Sequence, residues 1–227
     1  MSLRPLLLSA AVLATASAVL LAPAAQAATP GSVQLTGNQL RSALVTGSSL
    51  GGGYTIEDKF STGGRVVHEP VVNRPAAMSC GHFGYLYDTP GYGETALAST
   101  TLQNPAKARF YTPTIYQFPS AHVASALFAA EKTKFTRCRS YTVPASKGIP
   151  AARVTQTLTA TRVGGRKAFL VTQTNTYSGQ SFHLRIKILV TLDGADLFML
   201  SAAGAVPAHP SPATLTRSMI QRVSALR

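Results

Sequence analysis

Acidic residues are scarce in this chain. Its 227 residues include 8 aspartates and glutamates against 21 lysines and arginines, which gives a net charge of +13 at pH 7. The adjacent carboxylates Glu57 and Asp58 fall on a predicted strand, where neighbouring side chains point to opposite faces and cannot share one glycosidic bond. The excess positive charge favours encounters with polyanions. Because the basic residues are spread along the chain and no nucleic-acid-binding motif is present, we expect no nucleic acid partner.

Cysteine is limited to Cys80 and Cys138. A lipoprotein anchor would need a cysteine directly after a signal peptide at the amino terminus, and neither cysteine lies there. No His/Cys cluster has the spacing of metal ligands. The five histidines show no HExxH spacing, and no cofactor motif is present. In an exported chain the simplest state of two cysteines is a disulfide, worth about 4 kcal/mol in the chain-entropy model. We therefore expect a Cys80–Cys138 bridge, no metal and no cofactor.

A long apolar run occurs only at the amino terminus. Arg4 precedes an apolar stretch from Leu6 to Ala22, and Ala25-Gln26-Ala27 has the small-x-small pattern that signal peptidase accepts. These features predict a signal peptide over residues 1–27, cleaved after Ala27, and a secreted chain without a membrane span. No long Pro/Ser/Gly linker divides residues 28–227, so we expect a single domain. We also expect the protein to be a monomer.

Hydrophobic periodicity and turn residues predict an α+β fold. Two-residue turns, Gly164-Gly165, Ser178-Gly179 and Asp193-Gly194, separate four alternating strands that should form an antiparallel meander packed with helices. Pro113 interrupts an earlier strand and predicts an edge position or a bulge. The segment 61–101 is expected to be mostly loop, with a short helix near Cys80. The predicted helices are 38–45, 120–132 and 211–226, and the predicted strands are 54–60, 109–118, 153–163, 166–177, 181–192 and 197–202.

The stretch GSSLGGGYTIED places Ser49 in a G-x-S-x-G frame and follows it with Gly51, Gly52 and Gly53. A nucleophile elbow needs a strand before the serine and a helix after it, and a phosphate loop needs the free amides at the start of a helix. Here a predicted helix precedes the glycines and a strand follows them. The glycines are therefore interpreted as a helix stop and a turn.

The predicted meander carries polar side chains that could bind a ligand. Their cations and amides suit an anionic or hydroxyl-rich molecule, although antiparallel sheets also commonly turn a polar face to water. The register between strands decides whether these residues share a face. The candidate ligand-binding residues are Arg153, Gln173, Asn175, His183, Arg185 and Lys187.

Several motifs together resemble the PknH-like extracellular sensor domain family, which includes stand-alone exported actinobacterial proteins. They are the helix NQLRSALV with SLGGGYTIED, the segment SCGHFGY, the helix SAHVASALFAAEKTKFTRC with the second cysteine, and the hairpins that end in a helix. The resemblance implies an antiparallel sheet packed with helices, a disulfide, a cleft for an extracellular ligand, and no catalysis. This chain departs from the family in two ways. It has two cysteines instead of four, so a second disulfide is missing, and it has Phe135 where the family leads us to expect a tryptophan.

These observations favour a secreted, non-catalytic binding module for an extracellular ligand such as a cell-wall polymer, an anionic lipid or a small molecule. One alternative is a small exported hydrolase with a site assembled from distant residues such as His183, Ser49 and Asp196. Another is a protein-interaction or inhibitor protein that uses the aromatic, Pro-rich region 83–118, which would require an exposed apolar patch.

Overall fold

A computed structural model describes residues 33–63, 80, 93–145, 150–181, 183–204 and 210–227. Of strand residues 57–63 only the backbone is described. The predicted signal peptide, the proposed helix near Cys80 and most of the predicted loop 61–101 lie outside these ranges. The described residues all belong to one compact unit, Ser32–Arg227.

The described residues form three α-helices, two short 3-10 helices and eight strands. The 3-10 helices are Ser48–Leu50 and Pro105–Lys107. The α-helices are α1 (Gly37–Ala43), α2 (Ala121–Arg137) and α3 (Pro212–Ala225). The strands are β1 (Thr55–Gly63), β2 (Ala96–Asn104), β3 (Arg109–Gln117), β4 (Ser140–Val143), β5 (Ala152–Val163), β6 (Arg166–Tyr177), β7 (His183–Asp193) and β8 (Asp196–Gly204).

All eight strands join one antiparallel sheet in the order β1-β2-β3-β8-β7-β6-β5-β4. The predicted meander β5–β8 is confirmed. Gly164 and Gly165 both have positive φ, at 55° and 81°, which a tight hairpin turn between β5 and β6 requires. This turn pairs Val163 with Arg166 and sets the register of the whole hairpin.

Helices cover both faces of the sheet, and each covered face has its own core. Leu40 of α1 and Met219 of α3 pack with Leu189 and Phe198 on the side that we call the α1/α3 face. Leu127 of α2 packs with Phe169 and other residues on the opposite side, the α2 face. The α+β class predicted from the sequence is therefore confirmed.

The disulfide joins Cys80 to Cys138 at the end of α2, with 5.5 Å between their Cα atoms. Both cysteines belong to the core of the α2 face. The predicted bridge is confirmed, and it ties the chain before β2 to the end of the helix that covers this face.

The helix starts agree with the capping chemistry of the sequence. Thr36 and Gln39 form a capping box at α1, and the Ser211 hydroxyl accepts a hydrogen bond from the Thr214 amide at α3. Ser120 caps α2 in the same way, but α2 continues to Arg137, five residues beyond its predicted end.

Three strand predictions need correction. The segment Ala96–Thr101, predicted as loop, belongs to β2, and the short strand β4 was not predicted. Pro113 does not lie on an edge strand, because β3 is paired with β2 on one side and β8 on the other. The register between β2 and β3 continues unchanged on both sides of Pro113, so there is no bulge there either. The ladder simply lacks pairs at Thr112 and Pro113, which suits a residue without an amide hydrogen.

Candidate functional site

Part of the α1/α3 face is exposed and carries only hydroxyl-bearing and basic side chains. We call it the threonine–arginine face. It extends across β5, β6 and β7 at the end of the sheet distant from α1. Its members are Arg153, Thr155, Thr157, Thr172, Thr174, Thr176, His183, Arg185 and Lys187, all exposed except Thr174 and Lys187, which are half-buried.

Strand register brings these residues together. Thr176 of β6 is directly opposite Arg153 on one side and His183 on the other, and the next row pairs Thr174 with Arg185. Paired residues share a face, and adjacent strands lie about 4.8 Å apart, so Arg153 and His183 are separated by about 10 Å. His183 Nδ1 lies 3.1 Å from the Thr176 hydroxyl, which holds the imidazole against the sheet.

The threonine–arginine face contains no negative charge. Residues 132–192 include eleven lysines and arginines and no aspartate or glutamate. The ion pairs within the described residues, Arg166–Asp193 and Arg227–Asp196, do not include any member of this face. Its cations are therefore available to an anion, and the interleaved hydroxyls can donate or accept hydrogen bonds.

The structure divides the predicted ligand-binding set between the two faces. Arg153, His183, Arg185 and Lys187 lie together on the threonine–arginine face, as their pairing partners show. Gln173 lies opposite Ile186 and Asn175 lies opposite Leu184, so both point to the α2 face.

Gln173 and Asn175 take part in internal amide contacts on the α2 face. Gln173 is buried, and its Nε2 donates to Asn175 Oδ1 at 2.7 Å. Its cross-strand partner Gln156 donates to the Phe135 carbonyl at 3.3 Å, next to the end of α2. These contacts place the amides in the packing beneath α2 and away from the cations. The sequence contained the signal for this division. The two-residue Gly164-Gly165 turn pairs odd positions of β5 with even positions of β6, so Arg153 shares a face with the even positions of β6 and not with Gln173 or Asn175.

The trio behind the hydrolase alternative does not form a site. His183 begins β7, whereas Asp196 pairs with Asp193 at the other end of that strand. At about 3.4 Å per residue the two side chains lie roughly 30 Å apart. Ser49 contacts Thr46 and Arg222 and is not bonded to any histidine within the described residues. Gly51, Gly52 and Gly53 all have positive φ, consistent with the predicted turn.

The aromatic region proposed for protein binding is largely internal where it is described. Tyr111, Ile115, Tyr116 and Phe118 are buried in the two cores. The exposed large apolar side chains of the described residues are Val33, Ile56 and Leu226, which lie outside this region. Residues 83–92 lie outside the described ranges. The described part of region 83–118 therefore contains no exposed apolar patch.

Three buried charged groups have shifted pKa values. Burial raises the pKa of Glu131 to about 7 and lowers the pKa of Lys134, one helical turn later, to about 8. Burial also raises the pKa of Asp196, although Arg227 opposes this shift. Each group lies in the protein interior, so these shifts bear on stability, and we assign none of them to the threonine–arginine face.

The described ranges contain neither a cluster of metal ligands nor a membrane-spanning helix. No three His, Cys, Asp or Glu side chains come together there in a way that could hold a metal ion. None of the helices in those ranges is long and apolar enough to cross a membrane.

The fold is similar to that of the extracellular domain of PknH from Mycobacterium tuberculosis. The similarity covers 85% of this chain and 98% of that domain, with a TM-score of 0.57 at 13% sequence identity. The Rv0999 ortholog from Mycobacterium smegmatis matches over 82% of this chain and 94% of its own, with a TM-score of 0.39 at 10% identity. No protein-family model and no curated protein matches the sequence. The protein therefore has a fold like that of the PknH extracellular domain.

Proposed function

We propose that the protein is an exported, non-catalytic, sensor-like binding module that holds an anionic, hydroxyl-rich extracellular ligand on the threonine–arginine face. Anionic cell-wall polymers have this chemistry. The PknH-like fold supports a role outside the cytoplasm, because the similar PknH structure is an extracellular domain. The observation that carries the proposal is the juxtaposition of Arg153, Arg185 and Lys187 with threonine hydroxyls on an uncovered part of the sheet.

A face that serves only solubility differs from this one in its charge pattern. Solvated surfaces generally interleave both signs of charge, because like charges placed close together repel. On β7, Arg185 and Lys187 share a face at a spacing of about 7 Å, and no carboxylate lies between or opposite them within the described residues. A ligand that carries several negative charges would relieve this repulsion.

The threonines determine what kind of anion fits. Thr155 lies opposite Thr174, and Thr157 lies opposite Thr172, so hydroxyls form two cross-strand rows beside the cations. A flat array of hydroxyls and cations suits an extended polymer with alternating phosphate or carboxylate and sugar hydroxyl groups. The exposed geometry suits a chain that lies along the surface.

Export is part of the proposal. The signal-peptide pattern of residues 1–27 and the Cys80–Cys138 disulfide both fit a protein that matures outside the cytoplasm. We propose cleavage after Ala27 and a monomeric mature protein over residues 28–227. Such a protein would meet its ligand in the cell wall or in the surrounding medium.

A thermal-shift screen of residues 28–227 against soluble anionic wall fragments, anionic lipids and polyphosphate tests this function. A ligand that binds only the native state at 100 times its Kd stabilises the protein by about 2.7 kcal/mol. In a domain of this size that corresponds to a rise in Tm of about 5–10 °C. The rise should disappear in high salt, because the exposed charges are then screened.

Matched double variants locate the binding surface. R185Q/K187Q removes two cations from the threonine–arginine face, and K107Q/R217Q removes one lysine and one arginine from exposed positions elsewhere. We expect the first variant to lose most of the ligand-induced shift and the second to keep it. Equal shifts in both variants, or no shift with any polyanion, would contradict the proposed function.

A further inference from the structure

A second cationic feature lies on the opposite face of the sheet. It is a pocket of about 370 Å³ between α2 and the β5–β6 hairpin. Phe128 and Lys132 line it from α2, and Arg162 and Lys167 line it from the hairpin, where Ala160, Thr161 and Ala168 complete the lining. Its volume lies within the range of small-molecule sites, which is about 300–1,000 Å³.

The three basic residues of this pocket are brought together without a neutralising acid. Arg162 and Lys167 are directly opposite each other in the β5–β6 register, where Cβ atoms lie about 4.5–5.5 Å apart. Like charges in directly opposite positions destabilise a hairpin. No acidic residue lines the pocket, and within the described residues none of its three cations forms an ion pair. The arrangement therefore carries an electrostatic cost that a bound anion would remove.

The guanidinium of Arg162 is already positioned. Its Nη1 donates a 2.7 Å hydrogen bond to the Gly165 carbonyl in the turn. A guanidinium has five N–H donors, so most of them stay available for an oxyanion. This anchoring reduces the side-chain entropy that would be lost when a ligand binds.

Phe128 provides an aromatic wall beside the cations. Its ring is half-buried and packs against Phe169, with 5.1 Å between the ring centroids. Because Phe169 is fully buried in the core of the α2 face, the exposed part of Phe128 is held in place. The pocket thus combines three positive charges with one fixed apolar surface.

We infer that this pocket binds a small phosphate ester, with the phosphate held by Lys132, Arg162 and Lys167 and an apolar or ring portion of the ligand against Phe128. The pocket lies on the α2 face, so it is separated by the sheet from the threonine–arginine face and does not depend on the function proposed for it. Free phosphorylated molecules and phospholipid headgroups share this chemistry, and the test below distinguishes them.

Phenyl phosphate is a suitable probe, because it combines a phosphate with one aromatic ring. We would titrate it into isotope-labelled protein over residues 28–227 at low salt and follow backbone amide signals by NMR, with benzyl alcohol as the uncharged comparison. We expect saturable shifts centred on α2 near Lys132 and on the β5–β6 hairpin, and none with benzyl alcohol. Shifts centred elsewhere, or none at millimolar probe, would overturn the inference.

Two double variants separate this pocket from the first site. K132Q/K167Q should weaken phenyl phosphate binding at least tenfold, whereas R185Q/K187Q should leave it within twofold. Without ligand, K132Q/K167Q should melt no lower than the wild type, since it removes repulsion. Unchanged affinity in K132Q/K167Q, or a clear fall in its Tm, would show that these lysines have another role and would overturn the inference.

Vesicles identify the source of the phosphate. Sedimentation with vesicles of phosphatidylglycerol and phosphatidylcholine would be compared for the wild type and K132Q/K167Q. Binding that K132Q/K167Q abolishes and phenyl phosphate displaces would support a headgroup ligand. Phenyl phosphate binding without vesicle binding would support a free phosphate ester. Vesicle binding that persists in K132Q/K167Q, together with failure of phenyl phosphate to bind, would contradict the pocket.

Discussion

Arg227→Ala should destabilise the protein because it leaves a buried carboxylate without its cation. The Asp196 side chain is 0% exposed, whereas that of its partner Arg227 is 23% exposed. Asp196 also accepts a hydrogen bond from Gln117 Nε2 at 3.2 Å. Gln117 Oε1 in turn accepts a hydrogen bond from the Leu35 amide at 2.7 Å. This chain of contacts links the start of the described region, β3, β8 and the segment after α3.

The expected magnitude follows from the burial of Asp196. Removing one partner of a buried ion pair typically costs 3–5 kcal/mol, because the other charge stays buried and uncompensated. Arg227 is partly exposed, so water can compensate some of the loss, and we expect about 3 kcal/mol at pH 7. In a domain of this size that lowers Tm by about 6–12 °C.

The loss should depend on pH with a definite sign. Burial raises the pKa of Asp196 above its ordinary value of 3.8, and Arg227 counteracts this shift. Without Arg227 the folded-state pKa rises further above the unfolded value. A carboxyl group whose pKa is higher in the folded state than in the unfolded state contributes its full stability below the unfolded-state pKa. That contribution is lost as pH rises through the folded-state pKa. Arg227→Ala should therefore cost much less at pH 4 than at pH 7.

Urea unfolding followed by circular dichroism at pH 4 and pH 7 measures both quantities. Arg217→Ala, an exposed arginine on α3, is the matched control and should change the free energy of unfolding by less than about 0.5 kcal/mol. Adding Asp196→Asn to Arg227→Ala should recover part of the loss at pH 7, since the buried charge is then gone. A loss below 1 kcal/mol at pH 7, or an equal loss at both pH values, would refute this reasoning.

Three further outcomes can be measured by the same unfolding assay. Gly204→Ala should cost at least 2 kcal/mol, because a φ of 124° is strained for alanine and the new methyl group would meet the Ala108 carbonyl oxygen. Gly194→Ala is the control, since nothing surrounds the new methyl group there, and it should cost only about 1 kcal/mol. Equal costs in the two variants would contradict the packing argument. Replacing Cys80 and Cys138 by serine should cost about 4 kcal/mol, and a loss below 1 kcal/mol would show that the bridge contributes little. Burial raises the pKa of Glu131 from 4.5 to about 7. As pH rises from 4.5 through 7, the free energy of unfolding of the wild type should therefore fall by up to about 3 kcal/mol relative to that of Glu131→Gln. A difference between the two proteins that does not change with pH would contradict this titration.

Local chemistry explains which parts of the fold could be predicted from the sequence. The capping residues Thr36 and Ser211 bond to amides three positions away, so their roles depend on neighbouring sequence alone. The hairpin turn at Gly164 and Gly165 is equally local, because positive φ at both positions favours glycine. These elements were predicted close to their observed bounds.

Long-range pairing explains the failures. Pro113 indicates an edge strand by a local rule, but the pairing of β3 with β8 brings together segments about 85 residues apart and places the proline inside the sheet. Ala96–Thr101 lacks a clear alternation because both faces of β2 are packed, with Leu97 in one core and Ala98 in the other. Neither fact is visible without the strand order.

The candidate sites show the same division. Arg185 and Lys187 share a face because they are two residues apart on one strand, which the sequence alone establishes. Gln173 was grouped with them because its polarity is similar, although the strand register places it on the other side. The pocket was missed because Lys132 reaches it from α2, and only tertiary packing brings α2 over the hairpin that carries Arg162 and Lys167.

The most direct test of the central claim is the affinity of residues 28–227 for one anionic polymer, measured side by side in R185Q/K187Q and K107Q/R217Q by isothermal titration at low salt. Polyphosphate is a convenient polymer for this comparison. If the threonine–arginine face is the binding surface, the first variant should bind at least tenfold more weakly than the second, although both have lost two positive charges. Indistinguishable affinities in the two variants would show that overall positive charge accounts for binding and would contradict a specific site on this face.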